Sequence, residues 1–298
     1  MKPKILVIVG PTASGKTALS IKLAKKLDGE IVSADSRQVY LGLDIGSGKV
    51  TKREMQGIRH HMLDVANPKH VFSVSQYQKL AYKAIDDILK RGKLPIIVGG
   101  TGQYIDAITK GFIYHEVKPR ADLRKRLAKL SSAQMFKLLK SLDPARAKEI
   151  DRHNPRRLVR AIEITTVLGK VPELKSAPCY SPIMIGIRIM NNELRIRIKE
   201  RLKSRMKAGM INEVRKLHKQ GASWKRLFDL GLEYRYVSLY LQKKLTKSEM
   251  LLKIQAESEH YAKRQMTWFK RDKSITWLPD LQVNLNPSLV LRIRSLLL

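Results

Sequence analysis

The 298-residue chain is short of three things. Its one cysteine, Cys179, excludes an internal disulfide and a cysteine-built zinc site, and a reducing compartment such as the cytoplasm is expected. It has no apolar run near the roughly 18 to 20 residues a bilayer-spanning helix needs, so no membrane partner is expected. The apolar stretch at its N-terminus is about six residues long and does not resemble a secretion signal. Acidic residues are scarce as well, 26 against 59 lysines and arginines, for a formal net charge of +33. Ion-pair networks of the thermophilic kind enrich both signs of charge. An excess of bases alone points instead to a polyanionic partner, nucleic acid first.

Hydrophobic residues make up 43 % of the chain, enough for a sizeable core. The excess charge is densest downstream: residues 116–180 carry 16 bases to 7 acids and residues 193–273 carry 22 to 9, against 18 to 9 over residues 1–112.

Near the N-terminus the chain reads KILVIVGPTASGKTALSIKLAKKL. Lys4 to Val9 predicts a strand buried on both faces. GPTASGKT follows, with Gly10, Gly15, Lys16 and Thr17 in the G-x-x-x-x-G-K-[ST] spacing of a phosphate-binding loop. Leu19, Leu23 and Leu27 then mark one apolar helix face. Glycines let backbone N–H groups turn onto an anion, the helix N-terminus adds its dipole, Lys16 adds a full charge, and the Thr17 hydroxyl is suited to ligate Mg²⁺. A di- or triphosphate is implied, without specifying which.

Glu30–Ser33 and Leu94–Val98 predict two further strands, the first leading into ADSRQVY and the second into GGTGQY. Between them Ser73 and Gln76 form a capping box ahead of a helix with an apolar face of Tyr77, Leu80, Ala81, Ala84, Ile85, Ile88 and Leu89, stopped by Gly92. Alternating strands and helices predict an α/β fold, a parallel sheet with helices on both faces and ligands at the carboxyl ends of the strands. The loop at Gly10, Asp35 and Thr101 should therefore converge. From Glu116 to Pro182 the strand pattern gives way to basic, proline-punctuated helical sequence, and Ile183–Ile189 predicts a strand returning to the sheet. The chain thus divides into a core of 1–115 with 183–298 and a helical insertion of 116–182.

Taken together the motifs resemble the tRNA dimethylallyltransferases, or tRNA isopentenyltransferases. The matching segments are GPTASGKT from 10, DSRQVYLGLDIGSGK from 35, HHMLDV from 60, GKLPIIVGGTGQY from 92, NPRRLVRAIEI from 154 and AKRQMTWFKRD from 262. The resemblance implies a P-loop, nucleoside-kinase-like core with an inserted all-helical tRNA-binding domain. It also implies transfer of a dimethylallyl group from dimethylallyl diphosphate to N6 of the adenosine 3′ of the anticodon, with Mg²⁺, in a monomer that grips the anticodon stem-loop. On this resemblance Gly10, Pro11, Thr12, Ala13, Ser14, Gly15, Lys16 and Thr17 bind the diphosphate and Thr17 the metal. Asp35 is the base and Thr101 contacts the reacting region. Asp35, Ser36, Arg37, Gln38 and Thr101, with Arg124, Arg156, Arg157, Leu158, Val159 and Arg160, contact tRNA. Arg264 and Gln265 close over the diphosphate or line the tRNA side.

Plainer roles stand beside these: Asp35 as a loop cap or Mg²⁺ organiser, Thr101 as a turn residue, and the arginines as a solvated helix face. His60 and His61, adjacent on an extended segment, point to opposite faces and read as structural, and Trp268 and Phe269 as core. Arg37 stands where an apolar or small residue is expected. Where bacterial members show an IGYKE-like segment, this chain has LGLEYRYVSLYL from 230, an altered helix entry. Relatives with a C-terminal zinc finger are excluded as a pattern, since the cysteines are lacking. The rivals are a P-loop small-molecule or nucleoside kinase, which leaves the basic insertion idle, and a nucleotide-sensing nucleic-acid-binding protein, which leaves Asp35 and Thr101 idle.

Overall fold

A computed structural model describes residues 2–279 and 287–297. Among the described residues six strands form one sheet: β1 (Lys4–Val9), β2 (Gly29–Ser33), β3 (His60–His61), β4 (Leu94–Gly99), β5 (Ser181–Arg188) and β6 (Thr276–Pro279). Their order is β3-β2-β4-β1-β5-β6, and every pairing is parallel. β1 lies between β4 and β5, with Val7 opposite both Ile97 and Met184. Ile5, Val7 and Val9 enter one core layer, Leu6 and Ile8 the other. This double burial is why the segment is continuously apolar instead of alternating.

Helix α1 (Lys16–Lys26) covers the Leu6 and Ile8 face with Leu19, Ile21 and Leu23. After the short α2 (Lys52–Met55), α3 (Val74–Lys90) and α4 (Gly102–Thr109) cover the other face, where the Tyr77 and Tyr104 rings stack 3.8 Å apart. The capping box starts α3 as expected: Ser73 Oγ accepts from the Gln76 N–H at 3.2 Å and Gln76 Oε1 from the Ser73 N–H at 2.9 Å. The buried stripe is Tyr77, Ala81, Ile85 and Ile88. Leu80, expected on it, is 38 % exposed, because it sits one position before Ala81 and turns about 100° away from it.

Residues 112–177 form a second compact unit of α5 (Ala121–Leu127), α6 (Ser132–Leu142), α7 (Pro144–Glu149) and α8 (Pro155–Leu168). Leu123, Leu127, Met135, Leu139, Leu158 and Ile162 make its core. Its limits lie a few residues before 116 and 182. The Ile113 N–H bonds the Lys175 carbonyl at 2.9 Å, joining the ends of the unit, and Pro182 already lies in β5 opposite Ile5. The first unit resumes at Pro178 with α9 (Asn191–Lys207), α10 (Met210–Lys219), α11 (Trp224–Leu230), α12 (Leu232–Leu241), α13 (Lys247–Phe269) and α14 (Pro287–Leu297). No helix among the described residues is long and apolar enough to cross a membrane.

In the helical unit Glu163 is fully buried. It accepts from Arg124 Nε at 2.6 Å and Nη2 at 2.8 Å, from the Arg120 N–H at 3.0 Å and from Arg160 Nη1 at 3.4 Å. Burial alone raises its pKa, but the bonds from Arg124 and the Arg120 N–H outweigh that and hold it below the ordinary value. A depressed folded-state pKa contributes stability in full above the unfolded value of about 4.3, and the contribution is lost as pH falls through the folded value. Glu163→Gln is expected to weaken hydrogen-exchange protection of α5 and α8 at pH 7 by about 1–3 kcal/mol, with a smaller further loss than wild type on acidification. Equal protection at pH 7 would show that the network is idle.

Candidate active site at the carboxyl ends of the strands

The loop between β1 and α1 has positive φ at Gly10, Ala13 and Gly15, a conformation that turns successive N–H groups to one side. Gly10 is further constrained, since a Cβ there would lie 3.0 Å from the Ile187 carbonyl oxygen. Ser14 is buried, Lys16 half-buried and Thr17 exposed in the first turn of α1. Lys16 Nζ donates to the Pro11 carbonyl at 2.5 Å. Burial, then the charge of Arg201, push its pKa down to about 7, against the opposing pull of Asp35.

Asp35 follows β2. Its Oδ1 accepts the N–H groups of Arg37 at 2.8 Å and Gln38 at 3.3 Å, so the loop-capping geometry is present and it fixes the carboxylate. Thr101 follows β4. Its Oγ1 accepts the Ser36 N–H at 3.0 Å, its own N–H bonds the Ala34 carbonyl at 3.2 Å, and it shares a hydrogen bond with Tyr261 of α13. Burial pushes the Tyr261 hydroxyl up to about 12, helped by the charge of Asp35. The glycines around Thr101 answer to packing: a Cβ on Gly99 would collide with the Ala34 carbonyl, on Gly100 with the Gln265 amide and on Gly102 with the Trp268 ring.

Gln265, 5 % exposed, joins the two loops. Its Oε1 accepts the Thr12 N–H at 2.8 Å and its Nε2 donates to the Gly100 carbonyl at 2.8 Å. It is a buried clamp, while Arg264, one residue before it, lines the cleft. Phe269 is core, with Trp268 packed against it.

The cleft has a volume of about 290 Å³ and is lined by Thr12, Asp35, Ser36, Arg37, Arg201 and Tyr261 among others. Gln38 lies beside it, donating from Nε2 to the Gly48 carbonyl at 3.2 Å. Arg201, Arg205 and Glu233 also line the wall; the two arginines did not stand out in the sequence, and Glu233 did so only as part of the altered segment from 230. The available signal was the row Arg197, Arg201, Arg205 at four-residue spacing on α9, indistinguishable there from a solvated face. Burial and Arg205 lower the Arg201 pKa to about 10, with Glu233 and Asp35 opposing.

The remaining candidates lie in the helical unit. Arg124 and Arg160 bind Glu163, Arg160 also reaching the Val117 carbonyl at 3.0 Å, so both serve that unit's interior as well as its surface. Arg156 and Arg157 are exposed. Leu158 is fully buried and Val159 packs on the same cluster, so the Leu158 side chain is a core group and presents no contact surface to RNA. His61 Nε2 pairs with Glu30 at 2.6 Å and His60 Nδ1 with the Ile58 carbonyl at 2.9 Å, which makes both structural. Among the described residues no group of three or more His, Cys, Asp or Glu could hold a metal. The Thr17 hydroxyl, exposed beside Lys16, is an oxygen donor of the kind that could hold a Mg²⁺ ion.

A parallel sheet with a P-loop-type turn, an oriented carboxylate and an arginine-lined cleft at the carboxyl ends of the strands defines an enzyme of the P-loop type. The family model described as IPP transferase matches residues 38–272, and the chain belongs to that family. It is 44 % identical over 269 residues to tRNA dimethylallyltransferase 2 of Citrifermentans bemidjiense, covering 90 % of this chain and 87 % of that one. It is 39 % identical over 282 residues to tRNA dimethylallyltransferase of Anoxybacillus flavithermus, covering 93 % and 90 %. Among solved structures, the full-length tRNA isopentenylpyrophosphate transferase of Bacillus halodurans superposes with TM-score 0.74 at 35 % identity, over 99 % of this chain and 95 % of that one. A eukaryotic dimethylallyltransferase acting on tRNA gives 0.81 at 25 % identity, over 96 % and 77 %.

Gln265→Ala leaves the Thr12 N–H and Gly100 carbonyl without their partner. A loss of about 1–3 kcal/mol in urea denaturation is expected, with faster amide exchange over Gly10–Thr17; unchanged exchange there would refute the clamp.

Proposed function

We propose that the chain transfers a dimethylallyl group from dimethylallyl diphosphate to N6 of the adenosine 3′-adjacent to the anticodon in tRNA, releasing diphosphate. The observation that carries this reading is the convergence in one cleft of the diphosphate-type loop with a carboxylate held by two N–H groups. Relatives named as tRNA dimethylallyltransferases favour allyl transfer over the phosphoryl transfer of a kinase, which would use the same loop.

In the proposed reaction the loop N–H groups and Lys16 hold the donor diphosphate, and Arg201 adds positive charge as the leaving oxygen becomes anionic. The allylic C–O bond breaks with its electron pair on the diphosphate, the N6–C bond forms, and the N6 proton passes to Asp35. Thr17 would hold a Mg²⁺ ion, which would supply further positive charge for the leaving group. Thr101, bound to the Ser36 N–H and to Tyr261, positions the Asp35 turn against the acceptor. Ser36, Arg37 and Gln38 meet the nucleotides beside the target, and Arg156 and Arg157 bind RNA phosphates. Extruding the base costs on the order of a few kcal/mol, which phosphate contacts offset. The single cysteine and the basic charge accord with a cytoplasmic enzyme.

Incubation with Mg²⁺, dimethylallyl diphosphate and unmodified tRNA carrying adenosines at the last anticodon position and the next should give a dimethylallyl adduct on adenosine by nucleoside mass analysis. Asp35→Asn should slow its formation by about 10²–10⁴-fold. ATP hydrolysis without an adduct would return the kinase reading. Lys16, pushed down to about 7 by burial and Arg201, gains an anionic neighbour when diphosphate binds, so its pKa rises and binding takes up a proton. Diphosphate affinity is expected to fall from pH 7.5 to 9, with proton uptake seen by calorimetry in buffers of different ionisation enthalpy; flat affinity would count against this role for Lys16.

A further inference from the structure

Arg201 and Arg205 are one turn apart on α9 and both line the cleft. Arg205 is 8 % exposed. Its Nη1 donates to Glu233, itself 7 % exposed at the start of α12. Its Nη2 is buried and has no hydrogen-bond partner among the described residues. An unmatched buried donor is costly, more so on a charged group.

The rest of the surroundings are built to hold that guanidinium still. Gly48, at φ +62°, packs against Nη2 so closely that a Cβ there would collide with it. The loop carrying Gly48 is pinned by Glu213, which accepts the N–H groups of Asp44 at 3.0 Å, Ile45 at 2.6 Å and Gly46 at 3.0 Å, and the Tyr234 hydroxyl at 2.9 Å. Glu233 and Tyr234 are neighbours in the LGLEYRY segment, so one altered helix entry secures both Arg205 and its backing loop. Two arginines face one glutamate at this wall, and burial first, then the charge of Arg205, lower the pKa of Arg201. A fixed, partly unmatched cation of this kind is completed by an anion with oxygen acceptors.

We propose that Arg205 is an anion-binding residue whose Nη2 takes a phosphoryl oxygen from the backbone of the RNA strand bearing the target adenosine. This rests on the function proposed above. The donor diphosphate offers the same chemistry, but the arginine that acts on the loop lysine is Arg201. Arg205 lies a turn further along α9, against Gly48 and Glu233, and so serves the acceptor.

Two variants test this. Arg205→Lys keeps the charge facing Glu233 and loses the fork; the pair Arg205→Met with Glu233→Gln removes both charges and leaves no buried carboxylate unpaired. Affinity for unmodified tRNA across a salt series, donor KM and kcat are measured for each. Both variants should bind tRNA about five- to twentyfold more weakly with donor KM within twofold. In the double variant the slope of log affinity against log salt should be shallower by about 0.7, one single-strand phosphate contact. A raised donor KM with unchanged tRNA affinity would overturn the RNA assignment and give the contact to the diphosphate. If wild type forms the adduct and both variants match it in tRNA affinity and salt slope, the inference fails and Arg205 is only the partner of Glu233. If wild type forms no adduct, the functional reading itself fails.

Discussion

The placement of β1 between β4 and β5 is the constraint on which the site depends. Because all three run parallel, Val9 stands opposite both Gly99 and Gly186, and Ser33 opposite Val98. The chain therefore leaves the sheet at one edge at Gly10, Gly100 and Ala34, and the loops that follow must share a small space. Strand pairing brings them together, and packing sets how closely. The absent side chains of Gly99 and Gly100 admit the Ala34 carbonyl and the Gln265 amide, and the Thr101 N–H closes the contact. A one-residue slip of β4 would turn its side chains to the wrong core layer and carry Thr101 away from Ser36.

Within that frame the electrostatics are uneven by construction. Lys16 and Arg201 are held in surroundings that disfavour charge, both pushed below their ordinary values chiefly by burial. Asp35 and Glu233 offset this only in part. An anion placed between these cations would relieve repulsion already present. The helical unit resolves its charges differently. There Glu163 gathers Arg124, Arg160 and a backbone N–H around one buried carboxylate, and Arg156 and Arg157 stay on the surface.

Local chemistry made much of this legible before any fold was known. The apolar run of β1, the loop glycines, the Ser73–Gln76 box and the leucines of α1 each obey short-range rules, and they appear in the structure where those rules place them. Asp35 and Thr101 could be joined in advance because parallel topology alone sends the ends of their strands to one edge. The motif around Arg156 does not say which of its members face inward; helical periodicity does, and the Leu158 and Ile162 side chains are core.

What the sequence by itself determined is therefore everything carried by spacing: strand, loop, helix, and the family to which the motifs belong. Only the tertiary structure decided which distant groups complete the cleft. Gln265 reaches Thr12 and Gly100 across more than 160 residues, and Arg205 meets Glu233 from another helix. Such contacts follow from packing of whole helices against a sheet, and no periodicity along the chain encodes them. The basic composition pointed to an anionic partner, and only packing decided which cations are buried at the cleft wall.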